Sequence, residues 1–464
     1  MPARFVTIDR LTPMLLPPDL RDWIQHDDLV LFIADAVDTL HLAAFRVNHR
    51  GTGSEQFPPA MMLALLTYCY ATGRFGSRTI ERATYSDVSV RYLCANTHPD
   101  HDTICEFRRQ NRALFEETFV KILLLAQEVG LLQLGTVSVD GSKFAANASK
   151  HAAVSYARAG ELIEQLQGEV RELLAKAEAA DAVPLQDGLT IPAEITRREA
   201  RQAALQHARQ VIEERARERA AAAQPAYEAK CAAREAKRRA GQRPRGRDPQ
   251  PPDPTPQPRD QYNFTDPASR IMKAGNGAHY EQAYNAQAVV DAAGSQLIVG
   301  QRLSVAPNDK QELAADVASV PEALGRPSAV LADSGFYSEA QVRAVEGAEG
   351  PVAYVAVEKT SHHRSVADLE QRPPPAPPDP AASPREQMRD RLRTAAGRAL
   401  YGLRKQTVEP VFGIIKSVLR FRQFQLRGEA NVGTEWVLVC LAHNCKRLAV
   451  LWRQRSGSLA PVRT

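Results

Sequence analysis

Three carboxylates are placed where they could do chemistry. Asp140 and Asp333 each follow a short apolar run with strand character, Thr136-Val137-Ser138-Val139 before the first and residues 328–332 before the second. Glu409 is the only acid between Tyr401 and Gly428, amid Arg404, Lys405, Lys416, Arg420, Arg422 and Arg427. Phosphodiester chemistry by two metal ions needs carboxylates from different elements converging on two hard cations about 3.5–4 Å apart. Magnesium takes oxygen ligands and keeps several waters, so a few carboxylates suffice. In an α/β sheet such ligands project from the carboxyl ends of adjacent strands. Taken singly, each aspartate also reads as a turn opener, since Asp before Gly or Ser is a common turn signal. Together, on strands expected to be neighbours, they point to a metal site. Asp266, outside any strand and before Pro267, and Asp291, in an expected hairpin turn, are weaker candidates.

The surroundings of Glu409 carry a second signal. At ~100° per residue a helix places Lys405, Glu409, Lys416 and Arg420 on one face, with Val408, Val411, Ile415 and Val418 largely opposite. One acid inside a cationic stripe suits a site where the acid holds metal and the cations hold phosphates. A basic amphipathic helix with a Lys405–Glu409 ion pair is the alternative. Pro410 has no N–H, so the expectation is a helix start near Thr407, with Thr407 as cap and Pro410 in the first turn, or a kink.

Elements must bring these residues together. Residues 1–130 read as a helical, DNA-binding domain. Pro58 and Pro59 precede an apolar helix over 60–71, Gly73 to Gly76 break it, and Ser77 can cap a second helix. Thr103 and Glu106 have capping-box spacing and open a long helix bearing Arg108, Arg109 and Arg112. A DNA-reading helix-turn-helix, with Arg78, Arg108 and Arg109 as contacts, and an ordinary helical bundle with a basic face both satisfy this pattern. Residues 155–241 carry Leu162, Leu166, Val170 and Leu173, then Leu205, Ala208 and Ile212, at helical spacing, which predicts an inserted antiparallel hairpin. Residues 242–260 and 361–384 are rich in Pro and are expected to be a disordered linker and a loop. The rest, 131–154 and 261–455, reads as strand, strand, strand, helix, strand, helix, strand, helix. The first helix of this series is expected over 309–324. The first three strands are expected as an antiparallel meander and the later ones as parallel partners. This α/β order, with a mixed sheet, matches a ribonuclease H-like core joined to an N-terminal all-α domain and an inserted helical hairpin.

Composition sets outer limits. A chain of 464 residues is too long for one core and suggests two or three folded units. No apolar stretch approaches the ~20 residues a membrane helix needs, and no secretory signal is visible, so a cytoplasmic, DNA-associated protein without a membrane partner is expected. The net charge of +5 permits a nucleic-acid partner without demanding one. The six cysteines include no C-x-x-C pair; Cys440, His443 and Cys445 fall in an apolar helical run and read as core rather than as zinc ligands.

Read as blocks, the sequence resembles bacterial insertion-sequence transposases of the DDE type. FPPAMMLALLTYCYATGRFGSRTIERA and HPDHDTICEFRRQNR resemble their N-terminal helical domain. VSVDGSKFAANAS, NFTDPASRIMK, YNAQAVVD, VLADSGFYSE and TVEPVFGIIK resemble the successive blocks of their core. Their Tyr-Arg-Glu-Lys signature maps onto Tyr401, Arg404, Glu409 and Lys416. The Arg-to-Glu gap is one residue longer than the commonest form, and Lys405 would restore it. The resemblance implies that Asp140, Asp333 and Glu409 hold two Mg2+ ions, with Mn2+ as a substitute. It implies that Tyr401, Arg404 and Lys416 grip phosphates or bases beside a transposon end. Lys405 and Arg420 join them as candidate DNA contacts. The partners implied are double-stranded DNA, as terminal inverted repeats and target, and further copies of the chain in a homodimer or higher oligomer. A ribonuclease H-like nuclease, or a catalytically silent DNA-binding protein derived from a transposase, is the alternative.

Overall fold

The computed structural model describes residues 19–46, 56–180, 191–244, 246–274, 277, 279–347, 349–358 and 382–458. In chain order the first helices are α1 Leu29–Thr39, α2 Pro59–Ala71, α3 Ser77–Ser86, α4 Val88–Leu93, α5 His101–Gln110 and α6 Arg112–Glu128. Pro59 opens α2, where its missing N–H costs nothing. Every residue from Met62 to Ala71 is buried, as a helix apolar on all sides requires. Two expected caps are corrected. Ser77 lies inside α3, and its hydroxyl accepts from Arg108 Nη2 at 2.6 Å instead of capping. Asp100, not Thr103, caps α5, accepting from the Thr103 N–H at 2.7 Å. The single long helix expected from Thr103 is divided at Asn111 into α5 and α6.

Next come β1 Thr136–Ala145, β2 Ala153–Ser155, α7 Tyr156–Ala180, α8 Ile191–Arg239, β3 Gln261–Asn263, β4 Arg270–Lys273, β5 Tyr280–Asp291 and β6 Ile298–Ser304. Then follow α9 Leu313–Ala318, β7 Ala329–Ala332, α10 Glu339–Val345, β8 Val352–Val355, α11 Pro384–Arg393, α12 Ala395–Gly402 and α13 Arg404–Gly413. A π-helical turn, Ile414–Val418, and α14, Glu429–Ser458, complete the order. The helix expected over 309–324 is shorter: α9, then a 3-10 turn at Glu322–Leu324. Of the Pro-rich segment expected over 361–384, residues up to 381 lie outside the described residues. Ser383 and Pro384 begin α11, with Ser383 and Glu386 forming a capping box. The hairpin turn with Pro184 and Gly188 also lies outside the described residues.

The residues form two compact units. One comprises residues up to 144, 285–304 and 308–464. Its strands lie side by side as β6, β5, β1, β7, β8. β1 and β7 run parallel, Val137 opposite Val330 and Ser138 opposite Leu331. β7 and β8 also run parallel, whereas β5 and β6 are antiparallel with a bulge at Val289/Val290. The sheet is therefore mixed and the unit α/β. α14 is its spine, packed against α2, α6 and β6. The fully buried Asn444 of α14 treats the edge of β6 as a strand would: it donates to Ile298 O at 2.8 Å and accepts from Ile298 N at 2.9 Å. Cys440 and Cys445, on the same helix, are free buried thiols.

The other unit spans 145–284 and 305–307. Its core is Val154, Ala159, Ile163, Leu205, Ala208, Ile212 and Tyr262. α7 and α8 are antiparallel, because Tyr156 meets Glu213 while Glu169 meets Arg198. α8 outruns its partner and buries nothing beyond Ala216. Among the described residues, the segment after it contains neither helix nor strand, but it is tethered: Arg234 and Arg238 bind Asp248, and Arg219 binds Asp260. Asp266 is fully buried and accepts from the Tyr284 hydroxyl, which makes it structural.

Candidate active site

Asp140 is not at a strand end. β1 continues through it to Ala145, although the pairing with β7 stops at Ser138. Gly141 is therefore not a turn glycine. A Cβ there would lie 2.5 Å from Gln287 Nε2 and 2.6 Å from Asp309 Oδ1, so the missing side chain makes room on the other face of β1. The Asp140 carboxylate splits its oxygens, Oδ1 accepting from the Gly141 N–H at 2.9 Å and Oδ2 facing the interior of the site. Asp333 follows β7 directly and does the same: Oδ1 accepts from the Gly335 N–H at 2.8 Å, making the turn, and Oδ2 stays free of it. At Asp333, then, one oxygen makes the turn and the other is left for a further partner.

The third acid comes from α13, which starts earlier than expected. Thr407 is an interior residue whose hydroxyl donates to Leu403 O at 3.0 Å, and Pro410 lies well inside the helix. The carbonyl that Pro410 cannot bond is that of Gln406, and Gln296 Nε2 reaches it at 2.8 Å. Past Gly413 the π-helical turn inserts an extra residue into the helical phase, so Lys416 leaves the straight stripe. Arg420 is outside any helix, at φ +63°. The single cationic face expected from Lys405 to Arg420 is therefore broken. Lys405 and Arg420 are exposed, whereas Lys416 donates to Ser142 Oγ at 2.6 Å and to Lys143 O at 3.0 Å.

All three acids meet one cation, the guanidinium of Arg404. Nη2 lies 3.1 Å from Asp140 Oδ2 and 3.9 Å from Asp333 Oδ2, and Nη1 lies 2.9 Å from Glu409 Oε1. The Arg404 side chain is 11% exposed and that of Asp140 20%, which removes much of the screening water from this pair, whereas the Asp333 and Glu409 side chains, at 41% and 49%, remain open to solvent. Its Nε is buried without a partner. Only the planar fork of arginine spans three carboxylates in this way. Burial pushes the Asp140 carboxyl up to about 7; Arg404 opposes this, and the charge of Asp333 adds to it. Tyr401, half-buried on α12, has its phenol raised mainly by burial, against the pull of Arg404. Of the two candidate cations, Arg404 reaches the acids and Lys405 faces solvent.

Of the N-terminal cations, Arg78 and Arg109 are exposed, the latter paired with Glu106. Arg108 is corrected. It is 3% exposed and donates to the Tyr70 hydroxyl, Phe75 O and Ser77 Oγ, which leaves it no access to DNA. Sequence reasoning missed the bridging role of Arg404 and the Lys416–Ser142 contact. The Arg-Glu-Lys spacing was the only signal for either.

The fold and this geometry define a mixed α/β protein with a site built from oxygen donors around one cation. Among the described residues, no three Asp, Glu, His or Cys side chains form a ready metal-ligand group, since Arg404 takes the central place. The donor set nevertheless suits a hard cation: three carboxylates from three elements, each with an oxygen turned toward a single positive charge. Two family models match the chain: a "Transposase domain (DUF772)" over residues 18–110, and a "Transposase DDE domain" over 377–449, which includes Tyr401, Arg404, Glu409 and Lys416. Together these two matches support an insertion-sequence transposase of the DDE type. No curated protein and no solved structure matches it.

Proposed function

We propose that this transposase binds double-stranded DNA at transposon ends and catalyses metal-dependent strand cleavage and strand transfer, with Asp140, Asp333 and Glu409 as the metal-holding carboxylates. The observation that carries the reading is the convergence of these acids, from β1, the end of β7 and α13, on the single Arg404 guanidinium. The β1, β5, β6 and β7, β8 order, with a helix after β8 that carries the third acid, supports a ribonuclease H-like core. When bound, Mg2+ or Mn2+ would supply Lewis-acid activation of water or a DNA 3′-hydroxyl and neutralise the leaving oxygen. The protein's part is positional. Asp140 and Asp333 are pinned through one oxygen each to their own backbone, which leaves the second oxygen fixed in direction. Arg404 neutralises the acids and offers a fork that fits a phosphate once they find another partner. Tyr401 and Lys416, which lie beside the acids, and the exposed Lys405 and Arg420 are the proposed phosphate or base contacts. Two ends cut in one assembly would require a homodimer or larger oligomer on DNA.

The test is incubation of purified protein with the DNA flanking its gene and Mg2+, scored for end-specific nicks and joined products. Asp333→Ala is expected to abolish both while retaining DNA binding. Cleavage that persists in Asp333→Ala at the wild-type rate would remove Asp333 from the site.

A further inference from the structure

We infer that the turn between α2 and α3 and the loop between the π-helical turn and α14 form one composite cationic surface, which takes the backbone of a single DNA duplex. The inference rests on the transposase reading and extends it: segments from opposite ends of the chain hold the same stretch of DNA.

The two segments are locked together. Gly73, at φ +82°, lies where a Cβ would come 3.0 Å from Leu419 O, so only glycine permits the approach. A Cβ on Gly76 would lie 4.0 Å from Gln425 Oε1. Phe75 meets Phe421 edge-on at 5.0 Å between ring centres, and Phe421 meets Phe424 at 5.3 Å. Phe144, three residues past Gly141 on β1, packs against both Phe421 and Phe424. A buried polar chain completes the lock. Glu435 accepts from the N–H groups of Gln425 and Leu426 at 2.9 and 3.0 Å and from the Tyr70 hydroxyl at 2.7 Å. The Tyr70 hydroxyl accepts from Arg108, which also holds Phe75 O and Ser77 Oγ.

With Phe75, Phe421, Phe424 and Leu426 turned inward, the outward residues include five arginines. Arg78 and Arg82 on α3, and Arg420, Arg422 and Arg427 on the loop, are all exposed. Among the acids of the N-terminal segment, Glu81 pairs with His101, Asp87 with Arg74, and Glu106 with Arg109; Glu429, at the end of the loop, is exposed. No acid occurs between Glu409 and Glu429. A rigid array of like charges of this kind suits a polyanion of regular spacing, because neither segment has to be ordered on binding. The array also leads to the carboxylates, since Lys416 on the preceding turn bonds Ser142, two residues from Asp140.

The experiment uses the full chain in EDTA, which separates binding from cleavage. Affinity for two mixed-sequence DNA duplexes is measured against salt: one little longer than a helical turn, one several turns long. Arg78→Gln/Arg82→Gln and Arg420→Gln/Arg422→Gln are each expected to reduce the slope of log affinity against log salt by about 1.8, two contacts at ~0.9 each. The reduction is expected already on the short duplex, which cannot reach two separate surfaces. If either pair leaves the short-duplex slope unchanged while wild type binds, the composite surface is overturned and the transposase reading stands. If wild type shows no salt-dependent binding to either duplex, the inference and the DNA-binding reading fall together.

Discussion

Arg404 holds three carboxylates with one guanidinium, and its removal leaves them facing one another without a counter-charge. Arg404→Ala is therefore expected to unfold at lower temperature than wild type in metal-free buffer. It is also expected to gain more thermal stability on adding Mg2+, because a ligand that binds only the folded chain stabilises it by mass action. Equal Mg2+-dependent shifts in both proteins would show that the arginine and the ion do not share the site. The residue types were legible from the sequence: Asp140 and Asp333 follow strand-like runs, and Glu409 is the lone acid in a basic stretch. The bridging by Arg404 was not legible, because it depends on α12 and α13 being brought to the sheet by contacts far away in sequence.

At the level of elements, strand and helix types followed from local pattern, and the misreadings fall where tertiary partners override it. Thr407 and Pro410 look like a helix start, yet α13 begins at Arg404 because Gln296 supplies the donor that Pro410 lacks. Asp-Gly looks like a turn, yet β1 runs on beside β5 after its pairing with β7 has ended at Ser138. Between β6 and α9, Arg302 binds both Glu312 and Asp316. Asp316 is fully buried with Oδ2 unpartnered, and burial first, then the charge of Glu312, raises its carboxyl to about 7 despite Arg302. Unfolded, it would lose its proton near 3.8, so between that pH and 7 the folded chain holds the extra proton. This group's contribution is fully present below 3.8 and is lost as pH rises to 7. Urea midpoints measured across this window are expected to fall with pH more steeply in wild type than in Asp316→Asn. Parallel profiles would show that Asp316 ionises at its ordinary pH.

For the larger unit as a whole, the buried Tyr70–Glu435 and Tyr70–Arg108 bonds join the N-terminal helices to α14 and to the loop before it. Glu435→Ala would strand the Tyr70 hydroxyl and two backbone N–H groups in the interior. A loss of about 3–5 kcal/mol is expected in urea unfolding, the range for breaking a buried charged network. A loss below 1 kcal/mol, of the order expected for an exposed pair, would show that water replaces the carboxylate. The sequence by itself carried the family resemblance, the helical pattern of the insert and the mixed order of strands, and it singled out the three acids as candidates. These rest on residue type and periodicity, which act within a few residues. Only the tertiary structure decided that Arg108 is a buried lock rather than a DNA contact. It also decided that Gly141 is a spacer, that a π-helical turn breaks the cationic stripe, and that Arg404 is the point where the acids meet. Most of these depend on contacts with residues tens to hundreds of positions away, which local pattern does not encode.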